Sequence, residues 1–201
     1  MARWAPNARE RLVRAAVDLF TEQGYDATTV NEIAERAGGL TKTTFFRHFS
    51  DKREVLFAGQ EPHGRLVTDA IAAAPDTATP LQAVGAALDA LAATFTDDRR
   101  EFAARLRSVI ADNSELRERA TFKRAALTDA MTEALRRRGT PDLTASLAAD
   151  LGVQAFYRAF DRWSDPADKY PLADLTRQAL DELRAAIATL GSVPHRGPVN
   201  A

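Results

Sequence analysis

The sequence predicts an all-α protein, with a head of three short helices followed by a larger helical part, about nine helices in total. Three observations predict it. Alanine, leucine, arginine and glutamate dominate the chain, and these residues favour helix. Apolar residues recur at helical spacing, whereas no run alternates polar and apolar residues and no Asn-Gly or Asp-Gly hairpin turn occurs. Caps and glycine breaks lie close together in the first part of the chain and farther apart beyond it. The expected organisation is a head at 1–50, a helical body at 51–191 and a loose tail at 192–201.

The first helix is expected to open at Asn7, with Glu10 completing a capping box. Leu12, Ala16, Leu19 and Phe20 share one face, and Gly24 ends the helix. Thr29 and Glu32 form a second capping box, for a short helix whose inner face is Val30, Ile33, Ala34 and Ala37. Gly38-Gly39 breaks that helix, and Thr41 starts a third through Phe45, Phe46 and Phe49. Asp51 and Glu54 form another capping box, opening a helix expected from Lys52 to Ala74 with a bend near Pro62-His63-Gly64.

After a loop at Pro75–Pro80, helices are expected over Pro80–Thr96 and Arg99–Ala111. Asp112 with Glu115 reads as the cap of a long helix reaching Arg136-Arg137-Arg138, whose cations suit a helix C-terminus. Thr140-Pro141 opens the next helix, with Leu143, Leu147, Leu151, Ala155, Phe156, Ala159, Phe160 and Trp163 inward. Pro171 opens the last, with Leu172, Leu175, Ala179, Leu183, Ala186 and Leu190 inward.

Composition narrows the function. The 201 residues include no cysteine, which excludes disulfides, thiolate metal sites and cysteine nucleophiles. The three histidines, His48, His63 and His195, are far apart and lack metal-ligand spacing, and neither a phosphate loop nor a serine elbow is present. An enzyme is therefore not expected, nor a metal or cofactor. No stretch approaches the roughly 18 apolar residues of a membrane span, and Met1–Pro6 does not read as a secretory signal, so a cytoplasmic protein is expected. The net charge is −1, yet residues 1–53 carry nine Lys/Arg against seven Asp/Glu. From Arg36 to Arg53 five basic residues face Asp51 alone. Such a run suits a nucleic-acid contact, although a solvated charged face is its more common meaning.

Thr29–Lys52 carries the functional signal. Two short helices around a glycine turn have the layout of a helix-turn-helix, or of an ordinary helical corner. In the former, the second helix lies in the major groove and needs small polar or cationic residues outside and bulky apolar ones inside. Thr41, Lys42, Thr43 and Arg47 can face outward while Phe45 and Phe49 face the core. Phe46 reads as core or as a packing contact to sugar or thymine methyl, and His48 as a phosphate contact or a partner of local backbone.

From Arg11 to Phe57 the chain resembles the N-terminal domain of the TetR family. The resemblance rests on Ala15-Ala16-Val17-Asp18-Leu19-Phe20, Gly24-Tyr25, Thr28-Thr29-Val30, Ile33-Ala34, Ala37-Gly38, Thr41-Lys42 and Arg47-His48-Phe49, with Lys52 following. It implies a DNA-binding head, a larger helical ligand domain and a homodimer formed chiefly by the last two helices. It also implies that Thr29 meets a phosphate, that Thr41, Lys42 and Thr43 open the recognition helix, and that Lys52 receives a phosphate. Two features depart from the family. Gly39 and Leu40 stand where one residue is usual, and Phe46 replaces the usual tyrosine, leaving Arg47 to take over a phosphate contact.

For the body, the resemblance implies an apolar effector pocket, for which Phe95, Phe102, Leu106, Phe122, Met131, Phe156, Phe160 and Trp163 are candidates, with Arg105, Gln154, Tyr157 and Arg158 as polar ones. The expected protein is a ligand-responsive transcriptional regulator, a repressor on a palindromic operator, released by a small apolar or amphipathic molecule. The rival to a DNA-binding head is a helical adaptor whose basic face binds an acidic protein.

Overall fold

The computed structural model describes residues 8–190, and they are helical with no strand among them. Asn7, His195 and the predicted tail at 192–201 lie outside the described residues. The chain forms two compact units. One combines the residues up to His63 with Asp98–Ala126, and the other combines Gly64–Asp97 with the residues from Leu127 onward.

In the first unit, α1 (Ala8–Gln23) buries Leu12, Ala15, Ala16, Val17, Leu19 and Phe20 along one stripe. The capping box of α2 (Val30–Arg36) forms as the sequence predicts. The Thr29 amide donates to Glu32 Oε2 at 2.7 Å, and the Glu32 amide donates to Thr29 Oγ1 at 3.3 Å. α3 (Lys42–His48) is capped by Thr41, whose Oγ1 accepts the Thr44 amide at 3.1 Å.

The turn between α2 and α3 accommodates its additional residue through two consecutive left-handed glycines, Gly38 at φ 94° and Gly39 at φ 72°. Only glycine adopts this conformation without a Cβ penalty. The turn closes when the Leu40 amide donates to Ala34 O at 2.9 Å, and Leu40 then packs against the unit's core.

The single helix expected over Lys52–Ala74 is instead broken. A 3-10 turn spans Arg53–Phe57, and α4 (Gln60–Ala73) follows. Val55, Leu56 and Phe57 are all buried, and an α-helix cannot turn three successive side chains onto one stripe. Pro62 falls in the first turn of α4, where its missing N–H costs no bond, so it accompanies the helix start and not a bend. Asp51 accepts the Glu54 amide at 3.0 Å, but the Glu54 side chain does not complete a capping box. It binds Arg119 and Lys123.

α6 (Arg100–Asp112) follows a 3-10 turn at Asp97–Arg99, and α7 (Ser114–Arg137) is capped by Asn113, whose Oδ1 accepts the Leu116 amide at 3.2 Å. The cap is one residue later than Asp112 because Asn113 carries the extended backbone that a cap requires. Val109 and Leu116 join the core of the first unit.

In the second unit, α5 (Pro80–Ala92) is opened by a Thr79–Gln82 capping box and ends four residues before Thr96. It packs with α8 (Asp142–Trp163) and α9 (Leu172–Leu190). α8 does not bury the leucine face expected of it. Ala145, Ala148, Ala149, Gly152, Phe156, Ala159 and Trp163 are inside, while Leu143 is 73% and Leu147 54% exposed. The small residues let the helices approach closely. A Cβ on Gly152 would lie 2.4 Å from Val84 Cγ1 and 3.2 Å from Met131 Cε. On α9, Leu172, Leu175 and Ala179 are buried, but Ala186 and Leu190, expected inward, are exposed. α8 therefore carries a second apolar face, at Leu143 and Leu147, that the described chain leaves exposed, and the single apolar stripe of α9 is covered over its first half and exposed at Ile187 and Leu190.

Candidate nucleic-acid interface

Phe45 is fully buried and Phe49 is 5% exposed, and their rings lie 5.4 Å apart, fixing α3 to the core of the first unit. At about 100° per residue, Lys42, Phe46, Thr43 and Arg47 then share a sector of about 140° that starts beside the Phe45 stripe and reaches its far side at Thr43 and Arg47. All four are exposed.

The basic run sorts sharply in three dimensions. Arg36 makes a bidentate pair with Glu22, both bonds 2.9 Å, and that hydrogen bonding lowers the Glu22 carboxyl below its usual range. Arg53 pairs with Asp51 and Glu115 at 3.1 Å each. Lys52 turns inward, donating to Tyr25 O at 2.7 Å and Thr28 O at 3.0 Å, with its ammonium 4.1 Å from the Tyr25 ring centroid. Burial, with the Glu115 carboxylate adding, pushes the Tyr25 phenol up to about 12. On α1, Arg9 donates to Ala58 O, Arg11 to Gly38 O and Arg14 to Glu10.

Two cations are left. Among the described Lys and Arg residues up to Ala58, Lys42 and Arg47 alone have neither an ion pair nor a hydrogen bond, and both are on α3. Positive charge not neutralised within the protein is what a phosphate backbone requires.

The other predicted contacts differ in setting. Thr29, Thr41 and Thr43 are exposed. The hydroxyls of Thr29 and Thr41 already serve as helix caps, whereas the Thr43 hydroxyl makes no hydrogen bond among the described residues. Phe46 is 47% exposed. His48 is half-buried, and its Nε2 meets no hydrogen-bond partner among the described residues. The positioning arginines Arg11 and Arg36 were not legible in the sequence, because their partners lie 27 and 14 residues away with no spacing signal to join them.

The eight pocket candidates do not gather in one place. Phe95, Phe156, Phe160 and Trp163 form an aromatic cluster in the second unit, with Phe95 5.8, 5.4 and 6.0 Å from the other three ring centroids. Met131, in the same unit, is fully buried. Phe102 and Leu106 pack on the core of the first unit, where Phe122 is 61% exposed beneath the Arg119 guanidinium. Of the polar candidates, Arg105 pairs with Asp18 at 2.7 Å, and Gln154 and Arg158 are exposed. Among the described residues no cluster of His, Asp and Glu could hold a metal, and no helix is long and apolar enough to cross a membrane.

Residues 12–58 match the family described as bacterial regulatory proteins, tetR family. The HTH-type transcriptional regulator TcmR of Streptomyces glaucescens is 38% identical over 93 residues, 46% of this chain and 41% of that protein. The match thus spans less than half the length of this relative. Two solved structures share the fold. The transcriptional regulator FadR of Bacillus subtilis, in complex with stearoyl-CoA, is 20% identical with a TM-score of 0.59, covering 87% of this chain and 96% of that one. SmeT, the repressor of a Stenotrophomonas maltophilia multidrug efflux pump, is 23% identical with a TM-score of 0.56, covering 96% and 98%.

Proposed function

We propose that the chain, which matches the tetR family of bacterial regulatory proteins through residues 12–58, is a member of that family and a ligand-responsive transcriptional repressor acting in the cytoplasm. It grips a palindromic operator as a homodimer and releases it when a small apolar or amphipathic molecule binds. The observation that carries the DNA-binding reading is the isolation of Lys42 and Arg47, unpaired on the same exposed sector of α3 as Thr43 and Phe46. An acidic protein partner would be served by any basic patch. A short rod with two free cations and a threonine fits the major groove.

Dimerisation through α8 and α9 is supported by the exposed Leu143, Leu147, Ile187 and Leu190. Large apolar side chains left in water along two neighbouring helices favour cover by a second copy. Two heads must then stand about 34–36 Å apart to enter successive major grooves.

The effector reading is supported by the aromatic cluster of the second unit, in which Phe95 and Phe160 are only half-buried. The neighbour that holds stearoyl-CoA shares fold alone, so the effector's chemistry rests on those side chains. Ligand entry shifts α4, whose residues belong to one unit up to His63 and to the other from Gly64. Such coupling weakens operator binding by about 1–3 kcal/mol.

The test is selection from a random duplex pool, followed by competition at raised salt. A short palindrome bound at least a thousandfold more tightly than random duplex supports the reading. Equal affinity for all duplexes overturns it.

A further inference from the structure

We infer that Phe46 reads thymine in the operator through its 5-methyl group, a specificity contact that rests on the DNA-binding reading above. The ring is 47% exposed, so it does not serve the core as Phe45 and Phe49 do. Exposure of one ring is ordinary by itself; its placement between two unpaired cations on the outer sector of α3 is what gives it a role.

Its neighbours define what covers it. Lys42 and Arg47 flank it on the same sector, and between Arg36 and Asp51 the chain has no acidic side chain. The occupant is therefore polyanionic and yet offers an apolar group at the ring. A DNA major groove has this combination, because the thymine methyl is the apolar group on its floor. A phosphate cannot be the target, since a phenyl ring has no donor for it.

The ring is also held in place before any partner arrives. Its centroid lies 5.5 Å from that of Phe45 in an edge-on contact, and the Lys42 ammonium stands 5.9 Å from it. A fixed ring discriminates better than a mobile one, because it gives up little side-chain freedom when the base arrives. The remaining apolar surface of DNA is the deoxyribose, which every nucleotide carries and which gives no sequence preference.

The experiment replaces thymines of the selected operator by deoxyuridine, one symmetric pair at a time, and measures affinity by fluorescence anisotropy. Uracil lacks the methyl and keeps every pairing group. At one thymine position per half-site the wild-type protein should lose about four-fold in affinity per methyl removed, the worth of one buried methyl group. F46A should bind the thymine operator more weakly and lose the uracil penalty, with its thermal midpoint measured alongside to exclude unfolding. Equal binding of thymine and uracil operators at every position overturns the inference and leaves DNA binding standing, as does a uracil penalty undiminished in folded F46A. Failure to select any operator overturns both.

Discussion

The Nζ of Lys52 donates to the carbonyl oxygen of Tyr25 at 2.7 Å and sits 4.1 Å from the centroid of the same residue's ring. With its second bond to Thr28 O, this ammonium ties the loop before α2 to the segment after α3, and so holds both helices of the proposed reading motif. K52M should lower unfolding free energy by about 2–3 kcal/mol, since two carbonyls lose a charged donor. Urea denaturation would show it as an earlier midpoint at unchanged slope. The salt dependence of DNA binding should hardly move, which distinguishes a positioning role from a phosphate contact.

R47A and K42A should behave in the opposite way. Neither side chain has an internal ionic partner, so stability should stay within about 0.5 kcal/mol of wild type. Operator affinity should fall, and the slope of log K against log salt should shrink by about one for each phosphate that a head no longer neutralises. Titrations at several salt concentrations would check this.

Glu54 links stability to acid. Burial raises its carboxyl, but hydrogen bonds from Arg119 and Lys123 outweigh this and hold it below the usual carboxylate range. Because the folded value lies below the unfolded one, its contribution is complete above the unfolded value of about 4.3 and is lost as pH falls through the folded one. E54Q should therefore cost stability at neutral pH and flatten the loss between pH 5 and more acidic conditions. Denaturant midpoints across that range would decide.

Leu147 is 54% exposed, so a charge there costs the monomer little. L147E should keep the helical signal while shifting sedimentation from dimer to monomer, and should weaken binding to a palindrome more than to a half-site.

Gly152 sets two effects against each other. Alanine favours helix by about 1 kcal/mol, but its Cβ would meet Val84 Cγ1 at 2.4 Å, a branched side chain with little room to retreat. Overpacking should win, and G152A should be destabilised by about 1–3 kcal/mol. Thermal unfolding of G152A beside G152A/V84A, in which the obstruction is removed, would show recovery in the double variant.

Local rules were legible at Thr29, whose capping partner Glu32 lies three residues on. They failed at Glu54, where a capping partner three residues from Asp51 was drawn off by Arg119 and Lys123 from 65 and 69 residues away. The aromatic cluster of the second unit was legible only as a set of large residues. Phe102 and Leu106 have the same character and pack in the other unit.

The sequence by itself determined the helical character of the chain, the caps at Thr29 and Thr41 and the cationic, threonine-bearing outer face of α3, because these follow from spacing along one element. Tertiary structure alone decided which of the basic residues stay available. Arg36, Lys52 and Arg53 look no different in the sequence from Lys42 and Arg47, and they are spent on Glu22, on two carbonyls, and on Asp51 with Glu115. A charge is neutralised by what folding brings within a few ångströms, and most of those partners lie many residues away along the chain.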